Sequence, residues 1–382
     1  EADIVGQADE AFEELLGLVF AAEQAVVVGE PEAARQERAF AARQAIDVLA
    51  GGVAIDEAVT QQRSLTSQVI DALPTGRTWQ NLSVLVPGVS VPLSNTDVGG
   101  SNNERYQTMT VHGSRSDQMP LVMNGMPYNN MNNTGGGYNT TLVINMGTVQ
   151  EMTITTSGLS AESRTSGVMS NTIPKEGGNT FRGYILGNFT NSSLQADNLS
   201  PDLIARGLLA VGNAYRFWDF NPTIGGPLIE NKLWFYGGYR YSGTRSYVAG
   251  GFENKNPVGN QYCNIVSGCT FGGVLVPDSR NLSEQAIAGD TFNRGETLNL
   301  TMQLSPRNKA TVFGHFNQRL VDCNGCSATT SPEASTYFTH RPEYLLQGTW
   351  TNTYNNKLMF EGAFTFYNER WIFGPQPANI NG

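Results

Sequence analysis

A strict two-residue alternation of apolar and polar side chains runs through the second half of the chain. Residues 297–304 read TLNLTMQL, with leucine or methionine at every even position and a polar residue at every odd one. Successive side chains of a β-strand point to opposite faces, so this period predicts a strand with one apolar and one polar face. We therefore predict about seven antiparallel strands of roughly ten residues each. The others lie at residues 181–189, 216–226, 232–244, 309–319, 344–352 and 357–368.

The connections between these predicted strands alternate in length. Short turns lie at residues 227–231, 305–308 and 352–356, whereas long polar stretches lie at 191–212, 245–291 and 320–342. A soluble β-sandwich, such as a lectin, has no reason to place all its long loops at one end. An outer-membrane barrel has short periplasmic turns, long outer loops, and strands of about ten residues that cross the membrane at a tilt. The pattern favours a transmembrane barrel.

Composition is consistent with strands and turns. Hydrophobic residues make up 40% of the chain, charged residues only 15%, and glycine occurs 42 times, a balance that suits strands and turns better than helices. No run approaches the ~18 consecutive apolar residues that a membrane-spanning helix needs. The net charge of −10 resides in residues 1–58, which hold 13 acidic and 3 basic side chains. The neutral remainder has no basic run, which argues against nucleic acid as a partner.

Changes in patterning divide the chain into three predicted regions. Residues 1–58 form an acidic, alanine-rich segment with helical spacing, to which the sequence assigns no function. Residues 59–176 mix short helices and strands and are long enough to fold as a domain. Residues 177–382 contain the alternating strands. In the middle region we predict helices at residues 67–72 and from Thr78 to before Pro87, and strands at 106–112, 120–124, 149–155 and 167–173.

Four cysteines form two close pairs in polar stretches, Cys263 with Cys269 and Cys323 with Cys326. Pairs so spaced in exposed loops indicate local disulfides formed in an oxidising compartment. The alternative is a metal site, but one CxxC without a second CxxC or a nearby pair of histidines is a weak zinc signal. We predict two disulfides at these positions.

No constellation of catalytic residues is recognisable in the sequence. The three histidines, His112, His315 and His340, are far apart, and none lies beside a serine or cysteine nucleophile motif. The glycine run at residues 135–137 lacks the Lys-Ser/Thr pair and the strand-to-helix setting of a phosphate-binding loop. We predict that the protein is not an enzyme and has no catalytic residue, cofactor or metal ligand.

Several stretches resemble TonB-dependent receptors, above all their Oar-like branch. Residues 68–89, QVIDALPTGRTWQNLSVLVPGV, are similar to the opening of that family's plug domain. Residues 121–130, LVMNGMPYNN, match the plug's "DG-aliphatic-P" turn, with Asn124 where aspartate is usual. The resemblance covers about residues 59–382 and is specific as a combination. Similar stretches also lie at 149–162, in a strand and loop of the plug, at 167–183, in the exit into the first barrel strand, and at 220–239, in the first periplasmic hairpin.

The resemblance implies a mainly β fold in two parts. Residues 59–176 would form an α+β plug domain, and residues 177–382 the N-terminal part of an antiparallel transmembrane β-barrel. Plugged transporters have about 22 strands, so about seven strands predict a fragment of a longer receptor. Residues 1–58 depart from the family, because neither a TonB-box nor a regulatory-type domain is recognisable there.

The resemblance also implies a function. The protein would lie in the bacterial outer membrane, among its lipids, and would bind a ligand at the cell surface. It would then move that ligand across the membrane with energy delivered by TonB, together with ExbB and ExbD in the periplasm. The alternative is a surface adhesin or structural barrel that transports nothing.

In such a receptor the apical loop of the plug shares ligand recognition with the outer loops. Amide and tyrosine groups offer hydrogen bonds and stacking without net charge, which suits a neutral polar ligand such as a glycan or peptide better than a ferric siderophore. The alternative is that the asparagines serve only the geometry of the loop. The candidate ligand-binding residues are Asn124, Tyr128, Asn129, Asn130, Asn132 and Tyr138.

Overall fold

The structure of the protein is a computed structural model. Among the described residues, no helix has the length and apolar character needed to cross a membrane. The predicted acidic segment at residues 1–58 lies outside the described part of the chain. The described residues are 61–73, 78–83, 85–91, 109–115, 118–129, 142–159, 163, 167–196, 199–207, 212–255 and 262–375.

The first half of the described chain folds around a five-stranded sheet, here called the plug sheet. Its strand order is β1-β6-β7-β4-β5, and only the β4–β7 pair is parallel. The elements are β1 (Gln61–Thr66), α1 (Ser67–Ala72), α2 (Trp79–Ser83), β2 (Val89–Ser90), β3 (Thr110–Val111), β4 (Leu121–Met123), β5 (Met126–Pro127), a 3-10 turn (Met146–Thr148), β6 (Val149–Ser157) and β7 (Met169–Pro174).

An apolar core joins the helices to the plug sheet. Ile70 on α1 and Leu82 on α2 pack with Met152 and Ile154 of β6, and all four side chains are at most 1% exposed. Burial of each such side chain contributes about 1.5–3 kcal/mol. The mixed helix and strand content predicted for this region is therefore confirmed.

A two-residue turn joins β4 to β5. Asn124 has a φ of +51° and Gly125 a φ of +75°, so both residues adopt the left-handed conformation of a type I′ hairpin turn. Asparagine and glycine are the residues that tolerate this conformation best. The local sequence Asn-Gly thus determines the position of the turn.

The second half of the chain forms an up-and-down antiparallel sheet, here called the wall sheet. Its strand order is β16-β15-β14-β13-β10-β9-β8, with β17 paired to β15, and the described strands do not close into a barrel. This order confirms the predicted run of about seven strands of a barrel type. The elements are β8 (Arg182–Asn191), a 3-10 turn (Ser192–Leu194), α3 (Pro201–Ala205), β9 (Ala214–Ile229), β10 (Leu233–Asn254), β11 (Cys269–Phe271), β12 (Val274–Val276), β13 (Arg280–Ser305), β14 (Asn308–Asn324), a 3-10 turn (Pro332–Ala334), β15 (Thr336–Asn355), β16 (Leu358–Asn368) and β17 (Trp371–Pro375).

Some wall strands are much longer than predicted. The stretch 245–291 was predicted to be a loop, but β10 and β13 stay paired as far as Asn254 and Arg280. Likewise, β14 extends to Asn324, within the predicted loop 320–342. At about 3.4 Å per residue, the 26 residues of β13 far exceed the ~30 Å hydrocarbon core of a bilayer. Beyond the membrane, both faces of a strand meet water or protein. Apolar and polar residues therefore need not alternate there, and the sequence does not reveal the strand.

The wall sheet buries its polar face and exposes its apolar face. On β13, Asn299 is 4% exposed, whereas its neighbour Leu298 is 45% exposed. This is the reverse of a soluble protein, and it is the arrangement of a barrel whose outer surface meets lipid. The exposed apolar band also includes Ile185, Phe189, Phe220, Ile224, Val312, Phe316, Trp350, Phe364 and Phe366.

The plug sheet and the wall sheet lie on either side of the predicted boundary between residues 176 and 177. The first strand of the wall sheet, β8, begins eight residues after β7 ends. The exact division into domains stays a prediction.

Candidate functional site

The buried polar face of the wall sheet contacts the plug through hydrogen bonds. The centre of this contact is a reciprocal pair of amides from Asn145 and Asn221, each 1% exposed. Each Nδ2 donates to the Oδ1 of the other residue, at 2.9 and 2.7 Å. Asn145 also caps the 3-10 turn that precedes β6, since its Oδ1 accepts from Gly147 N at 3.0 Å. One side chain therefore shapes the plug backbone and binds the wall.

His315 forms a second link between wall and plug. Because a carbonyl oxygen can only accept, Nε2 of His315 carries the hydrogen and donates to Val143 O at 3.1 Å. Nδ1 lies within hydrogen-bond distance of the Thr297 hydroxyl, 2.8 Å away. The imidazole thus bridges β14 and the plug backbone.

The tip of the β4–β5 hairpin contacts β15 of the wall sheet. Nε2 of Gln347 donates to Met123 O at 3.2 Å, and Nδ2 of Asn124 donates to Oε1 of Gln347 at 3.3 Å. Gln347 is 1% exposed. The residue predicted to bind ligand, Asn124, therefore lies against the wall in this structure.

Backbone and charged groups complete the contact near the short turns. Asn299 Nδ2 donates to Lys175 O at 3.0 Å, and Lys175 Nζ donates to Gly147 O at 3.1 Å. An ion pair joins Lys309 to Glu176 at 2.8 Å, with both side chains nearly half exposed. Such exposed pairs contribute about 0–1 kcal/mol. This ion pair therefore adds little to the hydrogen bonds between neutral groups described above.

A glycine of the wall permits the plug to approach closely. A Cβ atom built at Gly238 would lie 2.5 Å from Thr148 Cγ2, whereas one built at Gly237 would meet no atom closer than 3.5 Å. Side-chain atoms cannot overlap at 2.5 Å, so a side chain at position 238 would have to displace Thr148. The two neighbouring glycines therefore offer a matched test of this contact.

We expect Gly238→Val to displace the plug from the wall at a cost of about 1–3 kcal/mol, the usual range for overpacking. Cells that carry the protein with this change should admit a small hydrophilic antibiotic faster, and its rate of entry into whole cells is the measurement. Gly237→Val is the control and should leave the permeability unchanged. Equal permeability of both variants would show that the close approach does not seal the plug against the wall.

Two predicted ligand residues have structural contacts. Tyr128 is 3% exposed within the apolar core, and this burial raises the pKa of its phenol. Asn129 fixes the edge of the plug sheet, since its Oδ1 accepts from Leu121 N at 2.7 Å and its Nδ2 donates to Met119 O at 3.0 Å. Ligand binding by both residues stays a prediction, and their contacts favour the alternative of a structural role.

Asn130, Asn132 and Tyr138 lie outside the described residues, so their role in ligand binding stays a prediction. Sequence reasoning did not single out the polar wall residues that hold the plug. The signal was present, since these residues occupy the polar positions of the alternating strands, as in TLNLTMQL.

The two cysteine pairs lie at the end of the wall sheet opposite the short turns, the first between β10 and β13 and the second at the end of β14. The structure joins Cys263 to Cys269 and Cys323 to Cys326, with Cα atoms 5.6 and 5.4 Å apart. The two connections also touch, because Asn264 Nδ2 donates to Ala328 O at 3.3 Å. An outer position agrees with an oxidising compartment.

Comparison with known proteins agrees with this geometry. Residues 54–169 match the model of the TonB-dependent Receptor Plug Domain. The chain is 27% identical over 172 residues to the TonB-dependent transporter Oar of Myxococcus xanthus, covering 44% of this chain and 14% of that protein. The chain thus spans a small part of its curated relative.

Solved structures show the same fold. The outer membrane transporter YddB of Escherichia coli aligns with a TM-score of 0.56 at 13% identity, over 81% of this chain and 39% of that one. The alcaligin outer-membrane receptor FauA of Bordetella pertussis aligns with a TM-score of 0.50 at 14% identity, over 84% and 40%. These matched proteins are transporters and receptors rather than enzymes. Residues 54–169 therefore match a plug domain of the TonB-dependent receptor type, and the chain is similar to outer-membrane transporters of that family, the Oar transporter among them.

Proposed function

We propose that this receptor binds a ligand at the cell surface and moves it across the outer membrane, driven by TonB with ExbB and ExbD. The observation that carries the proposal is the polar contact between plug and wall. A plug that must leave its place needs contacts that water can replace. The amide pair of Asn145 and Asn221 is such a contact.

The energetics of the contact fit a movable plug. A hydrogen bond between neutral groups contributes about 0.5–1.5 kcal/mol net, because water forms equivalent bonds when the groups separate. The plug is therefore held by several weak contacts, and a mechanical pull can break them one after another. Apolar packing adds to them, since Phe313 and Leu345 of the wall join the core of the plug.

We propose a neutral polar ligand, such as a glycan or a peptide. The support is the composition of residues 126–139, MPYNNMNNTGGGYN, in which asparagine recurs, tyrosine occurs twice and no side chain is charged. Hydrogen bonds and aromatic contact recognise such ligands without charge pairing. In this proposal the protein performs no chemical reaction and binds no cofactor.

The test is uptake by whole cells that express the full-length receptor. The probe is a mixed pool of fluorescent neutral oligosaccharides and short peptides, compared with cells lacking the gene. We expect receptor-dependent uptake that stops when an uncoupler dissipates the proton gradient or when TonB is deleted. Surface binding without uptake in energised cells would contradict transport and support the adhesin alternative.

A further inference from the structure

Three metal-ligating side chains meet on the inner face of the wall sheet. His340, Glu343 and Glu369, here called the carboxylate–imidazole cluster, bring one potential ligand atom each to within 4.8 Å of one another. His340 is 0% and Glu343 1% exposed, and the side chain of Glu369 is 6% exposed. His340 Nδ1 lies 3.3 Å from Glu369 Oε1.

An irregularity in the strand pairing creates this cluster. On a regular strand, residues 340 and 343 would point to opposite faces, because they are an odd number of positions apart. Here Tyr344 pairs with Asn368 and His340 with Trp371, so three residues of β15 lie opposite two. Such a bulge re-aims side chains, often beside functional sites. Both His340 and Glu343 consequently point inward.

Neighbouring side chains hold both carboxylates in place. Asn317 Nδ2 donates to Glu343 Oε2 at 2.5 Å. The hydroxyl of Tyr367 lies 3.1 Å from Glu343 Oε1 and 3.0 Å from Glu369 Oε2, and Trp371 Nε1 donates to Glu369 Oε1. Hydrogen-bonded carboxylates of this kind are typical of metal sites, where outer residues orient the ligands.

We propose that the carboxylate–imidazole cluster binds one divalent transition-metal ion of the Zn²⁺ class. One imidazole nitrogen and two carboxylate oxygens are ligands that Zn²⁺ accepts at about 2.0–2.2 Å, so the donor atoms need to close in by about 1 Å. Ca²⁺ and Mg²⁺ take oxygen ligands, and the histidine disfavours them. The inference goes beyond the proposed transport function and does not depend on it.

One positive charge opposes the binding of a cation. Arg319 lies directly opposite His340 in the β14–β15 pairing and is 1% exposed. A guanidinium this near weakens the affinity for a dication by Coulomb repulsion. By formal charge, the two carboxylates outweigh the one guanidinium. Removal of this arginine charge should therefore tighten metal binding.

The test is metal binding by full-length receptor purified from outer membranes without a histidine tag. After chelator treatment, the protein is titrated with Zn²⁺ against a chromophoric chelator. We expect the wild type to bind one Zn²⁺ ion tightly. Glu343→Gln and Glu369→Gln should each bind Zn²⁺ at least about 100-fold more weakly, because loss of a residue that only orients a ligand already costs about 10–100-fold in affinity. Glu361→Gln and His112→Gln lie outside the cluster and should bind as the wild type does.

Two further variants separate a metal site from a purely structural network. Asn317→Ala should weaken binding about 10–100-fold through misorientation of Glu343, whereas Arg319→Gln should strengthen it. Heat-dependent gel mobility verifies folding of each variant. If none of the variants folds, the wild-type titration decides, because absence of a stoichiometric equivalent overturns the proposal. Equal affinity of the wild type and the two glutamate variants overturns it as well.

Discussion

A disulfide between plug and wall, made by Thr148→Cys with Gly238→Cys, is expected to abolish uptake. A Cβ at position 238 lies 2.5 Å from Thr148 Cγ2, hence within about 4 Å of the Cβ of residue 148, the separation that a disulfide requires. The new bond replaces contacts of about 1 kcal/mol each with a covalent link that a pull on the plug cannot break. The measurement is uptake of the fluorescent pool by energised cells.

The same double variant after reduction is the matched control, and uptake should return. A second control places a disulfide between two wall strands with Thr311→Cys and Thr349→Cys, which lie opposite each other in β14 and β15. That link leaves the plug free and should preserve uptake. Wild-type cells treated with reductant account for the native cysteine pairs. Undiminished uptake by the oxidised plug–wall variant would show that the ligand passes without movement at this contact.

An arginine on the outer face of the wall is expected to destabilise the membrane-inserted receptor. Val312 is 45% exposed, belongs to the exposed apolar band and lies four residues after β14 begins at Asn308, and we expect it to face the hydrocarbon core. Arginine at the mid-plane of an outer-membrane barrel costs about 2–4 kcal/mol. Val312→Arg should lower the free energy of folding into lipid vesicles by that amount and reduce the folded receptor in outer membranes.

The control is the same substitution at a residue that is exposed to water. Val266 is 81% exposed in the connection that carries the first cysteine pair, and Val266→Arg should change stability by less than about 0.5 kcal/mol. An equal, small effect of both substitutions would mean that the apolar band at Val312 does not face lipid.

The sequence was most informative where one face of a strand meets lipid. In β13, Leu298 and Asn299 face environments of opposite polarity, so alternation predicts the strand. The two faces of the outer parts of β10 and β13 do not meet environments of opposite polarity. Their pairing as far as Asn254 and Arg280 was therefore not predictable from periodicity. The hairpin turn at Asn124 was predictable, because its backbone conformation depends on local residue type.

The candidate site was less predictable, because its residues are distant in the chain. Asn145 and Asn221 are 76 positions apart, and only the packing of plug against wall joins them. Tyr128 follows the turn that resembles the family's plug, yet its side chain lies in the core. The cluster at His340 depends on a β-bulge. Regular strand periodicity would place His340 and Glu343 on opposite faces, so the cluster was not predictable from it.

The central claim is that the plug leaves the wall when TonB delivers energy. The most direct measurement is labelling of a Thr148→Cys variant by a membrane-impermeant maleimide, because residue 148 is 3% exposed while the plug contacts the wall. We predict labelling in energised cells supplied with the probe pool and none after addition of an uncoupler or deletion of TonB. Labelling that is the same in all three conditions would contradict the account.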